Sequence, residues 1–170
     1  MPSLRHSPPR LVLIMGVAGS GKTTVGRLLA RELGWPYHEA DDFHPAANKE
    51  KMARGQPLDD ADRAPWLAAI RAMMDTCAAG GHPAVFTCSA LKEQYRHVLL
   101  DGRTDTALVH LQGDPTLLRS RLESRAGHYM KSGMLDSQLA ALEPPARALV
   151  LDVAQPSEAL VAEIRRRLAL

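Results

Sequence analysis

Residues 16–23 read Gly16-Val17-Ala18-Gly19-Ser20-Gly21-Lys22-Thr23. This is the pattern G-x-x-x-x-G-K-T of a phosphate-binding loop, which joins a buried strand to the N-terminus of a helix. The flanking sequence fits, because residues 11–15 are an unbroken apolar run and residues 24–33 place apolar side chains at helical spacing. The segment therefore predicts a strand, a loop and a helix that together bind a nucleoside triphosphate.

The residue types of this loop account for its chemistry. Its glycines let the backbone turn tightly and bring N–H groups close to an anion, and the helix N-terminus adds roughly half a positive charge. We expect Lys22 to reach the β- and γ-phosphates of ATP and the Thr23 hydroxyl to bind Mg²⁺. The alternative is a glycine turn that only connects strand and helix. The expected nucleotide-binding set is Gly16, Val17, Ala18, Gly19, Ser20, Gly21, Lys22, Thr23, Thr24 and, from a later helix, Arg121.

Length and composition limit the class of protein. A chain of 170 residues with 45% hydrophobic residues suits a single domain, residues 1–170, after a proline-containing loose tail at residues 1–10. A net charge of +2 and an aromatic content of 4% argue against nucleic-acid binding. The apolar run at residues 11–15 is too short to span a membrane, and two cysteines without metal-site spacing suit a reducing compartment. We expect a cytoplasmic protein.

Strand-like and helix-like segments alternate along the chain, which predicts an α/β fold with a parallel sheet covered by helices on both faces. The predicted strands are residues 11–15, 35–39, 84–88, 107–111 and 148–152. A long insertion, about residues 42–80, separates the second and third strands and is predicted to be helical and to bind the phosphate acceptor. Within it we expect one helix over residues 48–54 and another with Pro65 in its first turn.

Carboxylates cluster just after the second predicted strand, where residues 39–45 contain Glu39, Asp41, Asp42 and His44. The carboxyl end of a parallel strand is where such sheets bind ligands. Glu39 and Asp41 are two residues apart and would share one face of a strand. One carboxylate could hold Mg²⁺ through water and the other could accept a proton from a substrate hydroxyl. The alternative is an acidic turn in which Asp42 caps a helix.

The third predicted strand ends without an aspartate, so the metal-holding carboxylate common in phosphate-loop proteins is missing there. This observation assigns the metal role to Glu39, Asp41 or Asp42.

Several cations follow at positions suited to anionic ligands. Arg63 could meet an anionic group of the acceptor, or pair with Asp60 or Asp62 on the surface. Lys92 and Arg96 are four residues apart and could present two cations together, or form a solvated face.

A second group of cations falls in a predicted lid, about residues 121–135. The four-residue spacing of Arg121 and Arg125 would place both on one helical face, where they could stabilise charge on a transferring phosphoryl group. Gly127 and Gly133 are expected to bracket the hinge. The alternative is that both arginines are solvated.

Taken together, these motifs resemble the P-loop gluconokinases, near relatives of shikimate kinase and the nucleoside monophosphate kinases. The resemblance covers residues 11–168 nearly end to end, and the ordered set is far more specific than the loop alone. Its motifs are the loop itself; residues 41–45 with Asn48, Lys51 and Met52; residues 55–63 with Pro65-Trp66; residues 88–92 with Tyr95-Arg96; Arg121, Arg125 and residues 127–130; and Ser137-Gln138 with residues 142–144. Mild departures are Asp59, Tyr129 and Lys131, where the family often has Asn, Phe and Pro.

The resemblance implies a three-layer P-loop kinase fold with sheet order 2-3-1-4-5 and a lid, ATP-dependent phosphorylation of D-gluconate to 6-phospho-D-gluconate, and a homodimer. It implies that Lys22, Asp41 and Arg125 are catalytic, with Asp41 as the base, and that Thr23 binds Mg²⁺ with help from Glu39 or Asp42. The implied acceptor-binding residues are Asp41, His44, Arg63, Lys92, Arg96, Arg125 and His128.

Three other functions stay open at this point. The chain could phosphorylate another small acceptor, such as shikimate or a nucleoside monophosphate, although residues 44–66 and 89–92 argue against both. It could be a non-catalytic ATP-binding switch that acts through a partner. Nucleic-acid binding through residues 165–167 has little support from a net charge of +2.

Overall fold

The computed structural model describes residues 8–124 and 129–170, with the backbone alone for residues 129–132. Its sheet has five parallel strands in the order β2-β3-β1-β4-β5, which confirms the predicted order. The strands are β1 (Leu11–Met15), β2 (Tyr37–Glu39), β3 (Ala84–Thr87), β4 (Thr106–Gln112) and β5 (Leu149–Asp152). The helices are α1 (Lys22–Leu33), α2 (Ala46–Ala53), α3 (Asp60–Ala79), α4 (Glu93–Leu100), α5 (Pro115–Glu123), α6 (Tyr129–Ala141) and α7 (Ser157–Leu168).

Helices cover both faces of the sheet, and the central strand β1 shows why. All five of its residues are fully buried, so each face of this strand contributes to a core. Leu11, Leu13 and Met15 pack with apolar residues of α3 and α4, whereas Val12 and Ile14 pack with those of α1, α5 and α7. The alternation of side chains along a strand thus builds two cores, one on each side.

Helix α3 begins earlier than predicted. Asp59 caps its N-terminus by accepting a 2.7 Å hydrogen bond from the Asp62 backbone N–H, and the Asp62 carboxylate accepts a 3.0 Å bond from the Asp59 N–H. This reciprocal capping pair starts the helix at Asp60, so Pro65 lies inside the helix. The prediction that Pro65 occupies the first turn was wrong, because the aspartates were interpreted as a polar connection.

The second strand ends at Glu39 as predicted but begins later, at Tyr37. Strand β2 stops at Glu39, and Asp41 lies on a short 3₁₀ helix, Ala40–Phe43. The two carboxylates therefore do not share a strand face.

The predicted lid also differs in its helix boundaries. Helix α5 ends at Glu123 with Ser124 as its C-cap, so the predicted shared face of Arg121 and Arg125 involves a residue outside the described residues and stays a prediction. Helix α6 starts at Tyr129, and Gly133, predicted to bracket the hinge, lies within it. Arg125, Gly127 and His128 lie outside the described residues, as do residues 1–7 of the predicted tail.

Across the described ranges, we find no helix that combines the length and the apolar character needed to cross a membrane.

Candidate active site

The loop between β1 and α1 has the backbone that its glycines predict. Gly19 and Gly21 adopt φ angles of 80° and 86°, in the left-handed region that favours glycine. A Cβ on Gly16 would lie 2.7 Å from the Ser20 Oγ and 2.8 Å from the Leu111 carbonyl oxygen. The fold around this loop therefore leaves no room for a side chain at Gly16.

Polar groups converge on the inside of the loop. The Lys22 ammonium donates a 3.1 Å hydrogen bond to the Val17 carbonyl, and the Ser20 backbone N–H donates to the same oxygen at 3.2 Å. The Ser20 hydroxyl is buried and has no hydrogen-bond partner among the described residues. A buried polar group of this kind fits a site that a polar ligand completes.

A cavity of about 230 Å³ adjoins the loop. It is lined by Gly19, Ser20, Gly21, Thr24, Arg121 and the residues around the start of α7. The Arg121 guanidinium donates a 2.6 Å hydrogen bond to the Val153 carbonyl, just past the end of β5. The structure therefore brings Arg121 beside the loop, where the sequence predicted a nucleotide contact, and its role stays a prediction.

The Glu39 carboxylate is held at the carboxyl end of β2 by three hydroxyl groups. It accepts hydrogen bonds from Thr23 at 2.8 Å, from Tyr37 at 2.6 Å and from Thr87 at 2.9 Å. Burial, followed by the hydrogen bond to Glu39, raises the pKa of Tyr37 to about 12. Tyr37 therefore stays protonated and remains a donor at neutral pH.

Thr87 ends β3, the strand on which the sequence showed no metal-holding aspartate. Its hydroxyl donates to Glu39 instead, so a carboxylate from the neighbouring strand occupies this region. Thr23 and Glu39, both predicted to help bind a metal, are in direct contact, whereas Asp42 is exposed on the 3₁₀ helix.

Asp41, like Asp42, is exposed on the 3₁₀ helix, although the surrounding protein removes part of the hydration of its carboxyl group. Partial burial is the main cause that raises the pKa of its carboxyl group, and the charge of Glu39 acts in the same direction. The positive charge of Lys22 and the imidazole of His44 oppose that rise in the pKa. The pKa of Asp41 therefore depends on the charges of the loop lysine and of His44, and its role as the base stays a prediction.

His44 is fixed in place by its neighbours. Its ring stacks on Trp66 with centroids 4.4 Å apart, and the Trp66 indole N–H donates a 2.7 Å hydrogen bond to the Ala40 carbonyl. The buried Asn48 amide lies 3.3 Å from the His44 Nδ1 and donates to the Asp62 carbonyl at 2.8 Å. Burial is the main cause that lowers the pKa of His44, which favours the neutral ring.

Two predicted acceptor-binding cations meet around one tyrosine. Arg63 and Lys92 lie 5.7 Å and 5.5 Å from the centroid of the Tyr95 ring, and Arg63 donates a 3.3 Å hydrogen bond to its hydroxyl. Asp60 accepts hydrogen bonds from Tyr95, from Lys92 at 3.0 Å and from Gln94 at 3.0 Å. Arg63 therefore hydrogen-bonds to Tyr95, whereas the alternative interpretation expected it to pair with Asp60 or Asp62.

Arg96 is buried whereas Lys92 is partly exposed, so the two side chains do not form a shared cationic surface. It is only 5% exposed, and its Nη1 donates hydrogen bonds of 2.9 Å and 2.8 Å to the carbonyls of Ala90 and Leu91. Ala90 has a φ of 45°, an uncommon conformation for a residue with a Cβ. Arg96 therefore supports the loop after β3, and its burial was not readable from helical spacing.

Sequence reasoning also missed Gln138. This residue of α6 accepts a 2.7 Å hydrogen bond from the Ala18 backbone N–H of the phosphate-binding loop. In the sequence, Gln138 appears only as part of the Ser137-Gln138 motif, which by itself does not indicate a role for this residue.

The sequence and the fold are similar to those of known proteins. A family model described as an AAA domain matches residues 12–141. A gluconokinase of Gluconobacter oxydans is 50% identical over 137 residues, covering 81% of this chain and 77% of that protein. The chain belongs to the gluconokinase family. This membership confirms the resemblance that its motifs carry.

Two further gluconokinase relatives agree over longer stretches. A probable gluconokinase of Xenopus tropicalis is 45% identical and covers 91% of this chain and 90% of that protein. The crystal structure of a gluconokinase from Sinorhizobium meliloti 1021 superposes with a TM-score of 0.84 at 42% identity, covering 95% of this chain and 92% of that one. The gluconokinase likeness therefore extends beyond the loop to most of the chain.

Proposed function

We propose that this protein transfers the γ-phosphoryl group of ATP to the primary hydroxyl of D-gluconate, which yields 6-phospho-D-gluconate and ADP. The observation that carries the proposal is the 2.8 Å hydrogen bond from Thr23 to Glu39, which joins the phosphate-binding loop to the segment that bears Asp41, with Arg63 and Lys92 bonded to residues around the insertion. In this proposal the base, the phosphate-binding loop and the anion-binding groups border the site where ATP and gluconate meet. Relatives named as gluconokinases, up to 50% identical, support gluconate as the acceptor.

On the nucleotide side, Lys22 and the amides of the loop bind the β- and γ-phosphates, and Arg121 contacts the nucleotide from the cavity beside the loop. The residues also fit a magnesium ion, since hydroxyl and carboxylate oxygens are the ligands that Mg²⁺ takes together with phosphates. Thr23 would hold the ion, with Glu39 or Asp42 acting through water. The ion, when bound, neutralises charge on the phosphates.

On the acceptor side, Asp41 takes the proton of the gluconate primary hydroxyl as that oxygen forms a bond to the γ-phosphorus. The bond between the γ-phosphorus and the β,γ-bridging oxygen breaks, and its electron pair leaves with ADP. The raised pKa of Asp41 makes it a stronger base than an ordinary aspartate.

Recognition of gluconate falls to the cations and to His44. Arg63 can hold the carboxylate in a two-pronged contact, with Lys92 beside it. Neutral His44 supplies a ring N–H to a hydroxyl. Arg96 acts on the acceptor indirectly, because its buried guanidinium donates to the carbonyls of Ala90 and Leu91 in the loop that leads to Lys92. Arg125 and His128 complete the proposed set from the segment outside the described residues.

The organisation of the chain follows from this scheme. Residues 1–170 form one kinase domain, in which residues 42–80 bind the acceptor. A lid at about residues 121–135, with Arg125 acting on the transferring group, excludes water from the reaction. We place the enzyme in the cytoplasm as a homodimer with no membrane or nucleic-acid partner.

The proposal is tested by following ADP release from ATP and Mg²⁺ with gluconate, shikimate, AMP, glucose or no acceptor. Release that depends on gluconate is the expected result. Release with another acceptor would keep the nucleotide site and overturn the acceptor. Slow release without any acceptor would favour the ATP-binding switch. Arg166→Ala, at an exposed position near the end of α7, serves as a surface-cation control that leaves the rate unchanged.

A further inference from the structure

One peptide group in the phosphate-binding loop is held from both sides. The carbonyl of Val17 accepts hydrogen bonds from the Lys22 ammonium at 3.1 Å and from the Ser20 N–H at 3.2 Å. The N–H of the same peptide group, on Ala18, donates a 2.7 Å hydrogen bond to the Gln138 Oε1. In a planar trans peptide the C=O and N–H point in opposite directions, so these bonds fix how the plane is rotated.

Gln138 reaches the loop from a helix that is itself anchored. The Arg119 guanidinium of α5 pairs with Asp136 of α6 at 2.6 Å. Just past α6, the Glu143 backbone N–H donates to the Leu91 carbonyl at 2.9 Å, and its carboxylate accepts from the Glu93 N–H at 2.5 Å. Gln138 is half-buried between these points, so its amide is presented to Ala18 from a defined position.

We propose that Gln138 is a positioning residue for Lys22, acting through the peptide group of Val17 and Ala18. Without the Gln138 oxygen, the Ala18 N–H loses its acceptor and the peptide plane can rotate. The Val17 carbonyl then turns away from the Lys22 ammonium. The lysine side chain has four rotatable carbon–carbon bonds, so a fixed acceptor reduces the entropy that is lost when it binds phosphate.

The inference rests on the proposed contact of Lys22 with the β- and γ-phosphates, and it does not depend on which acceptor is phosphorylated. Its test therefore uses nucleotide binding rather than turnover. Gln138→Leu removes the acceptor oxygen at similar volume, whereas Gln138→Glu keeps an acceptor oxygen. Asp136→Asn is the matched control, because it weakens one exposed ion pair of α6 while the Glu143 contacts still hold the end of the helix and the loop peptide is untouched.

The first measurement is the amide proton shift of Ala18 by ¹⁵N-edited NMR. We expect the downfield shift of a hydrogen-bonded amide in the wild type, in Gln138→Glu and in Asp136→Asn, and an upfield move in Gln138→Leu. Loss of the shift in Gln138→Glu, or no change in Gln138→Leu, would overturn the proposal. Circular dichroism verifies that each variant is folded, and Gln138→Glu keeps the test decisive if Gln138→Leu does not fold.

The second measurement is ATP affinity by calorimetry in a double-mutant cycle. Gln138→Leu should weaken ATP binding about two- to tenfold, the range for loss of one hydrogen bond, and Asp136→Asn should not. In a Lys22→Ala background the Gln138 substitution should cause no further loss, because the residues act in series. If Gln138→Leu weakened ATP binding equally in the wild type and in Lys22→Ala, only the positioning role of Gln138 would be overturned. An ATP affinity unchanged by Lys22→Ala would overturn both this inference and the proposed contact of Lys22 with phosphate. If the ATP-binding results were as expected but gluconate were not phosphorylated, only the proposed acceptor would be overturned.

Discussion

Thr23 in the first turn of α1 donates a 2.8 Å hydrogen bond to Glu39 at the end of β2. This contact links the nucleotide loop to the segment that carries the proposed base, Asp41. The Glu39 carboxylate also accepts from Tyr37 and Thr87, so its position is set by three hydroxyl donors. Such a constrained carboxylate beside the proposed metal-binding threonine can orient that ligand and tune the site.

The substitution Glu39→Gln tests this role. Glutamine keeps the size and one acceptor oxygen of Glu39 but removes its charge. We expect the Mg²⁺ concentration for half-maximal turnover to rise about 10- to 100-fold, the usual effect of losing an outer ligand of a metal site. The measurement is the turnover rate as a function of Mg²⁺ at fixed ATP.

Asp42→Asn is the comparison for Glu39→Gln, because Asp42 is the other proposed outer ligand and is exposed. We expect Asp42→Asn to change the Mg²⁺ dependence less. If Asp42→Asn raised the requirement and Glu39→Gln did not, the metal role would belong to Asp42.

Asp41→Asn tests the proposed base. Asparagine cannot accept the proton of the gluconate hydroxyl, so we expect turnover to fall about 10²- to 10⁴-fold, the usual contribution of a general base. The affinity for ATP should change little, since the phosphates bind the loop. Turnover and calorimetric ATP binding are measured on the same preparation. A larger loss of turnover in Asp42→Asn than in Asp41→Asn would move the base by one position.

Asp60 gives a prediction about acid stability. Hydrogen bonds from Tyr95, Lys92 and Gln94 lower the pKa of its carboxyl group from an ordinary 3.8 to about 2. Because the folded-state pKa is depressed, the stabilisation by ionised Asp60 is fully present above about pH 4 and is lost as the pH falls toward about 2.

The measurement is the unfolding temperature of the wild type and of Asp60→Asn as a function of pH. We expect the wild type to be more stable at neutral pH and the gap to shrink between about pH 4 and about pH 2, where Asp60 becomes protonated. A gap that stays constant over that window would show that the ionisation of Asp60 does not stabilise the fold.

The sheet and the nucleotide loop were predictable because local pattern decides both. The buried run at residues 11–15 and the glycines after it fix β1 and the turn that follows, and the alternating segments predict a parallel α/β sheet, whereas the strand order was implied by the resemblance to the P-loop gluconokinases. The start of α3 was also readable in principle, since Asp59 and Asp62 have the three-residue spacing of a capping pair.

Other features depend on contacts between distant parts of the chain. Gln138 meets Ala18 across 120 residues, and no local pattern specifies that hydrogen bond. Arg96 shares a helix with exposed residues, and its spacing from Lys92 suggested a cationic face. Only the packing of α4 against the sheet shows that its guanidinium is directed at backbone carbonyls.

Arg96→Leu tests whether Arg96 supports the loop after β3. Two carbonyls would lose hydrogen bonds from a buried charged group, so we expect the free energy of unfolding to fall by about 2–4 kcal/mol. The KM for gluconate should rise as well, because the loop carries Lys92, while the affinity for ATP should stay close to that of the wild type. Chemical denaturation and steady-state kinetics measure the two effects.

Arg63→Leu is the matched comparison, because Arg63 is half-buried and its described hydrogen bond is a single 3.3 Å contact to the Tyr95 hydroxyl. We expect this variant to raise the KM for gluconate by about tenfold or more, through loss of a charged contact to the carboxylate, with little change in stability. If Arg96→Leu instead raised the KM with an unchanged free energy of unfolding, Arg96 would contact the acceptor directly, as the sequence first suggested. Comparing the change in unfolding free energy with the change in KM for each variant therefore distinguishes a residue that supports the loop from one that binds gluconate.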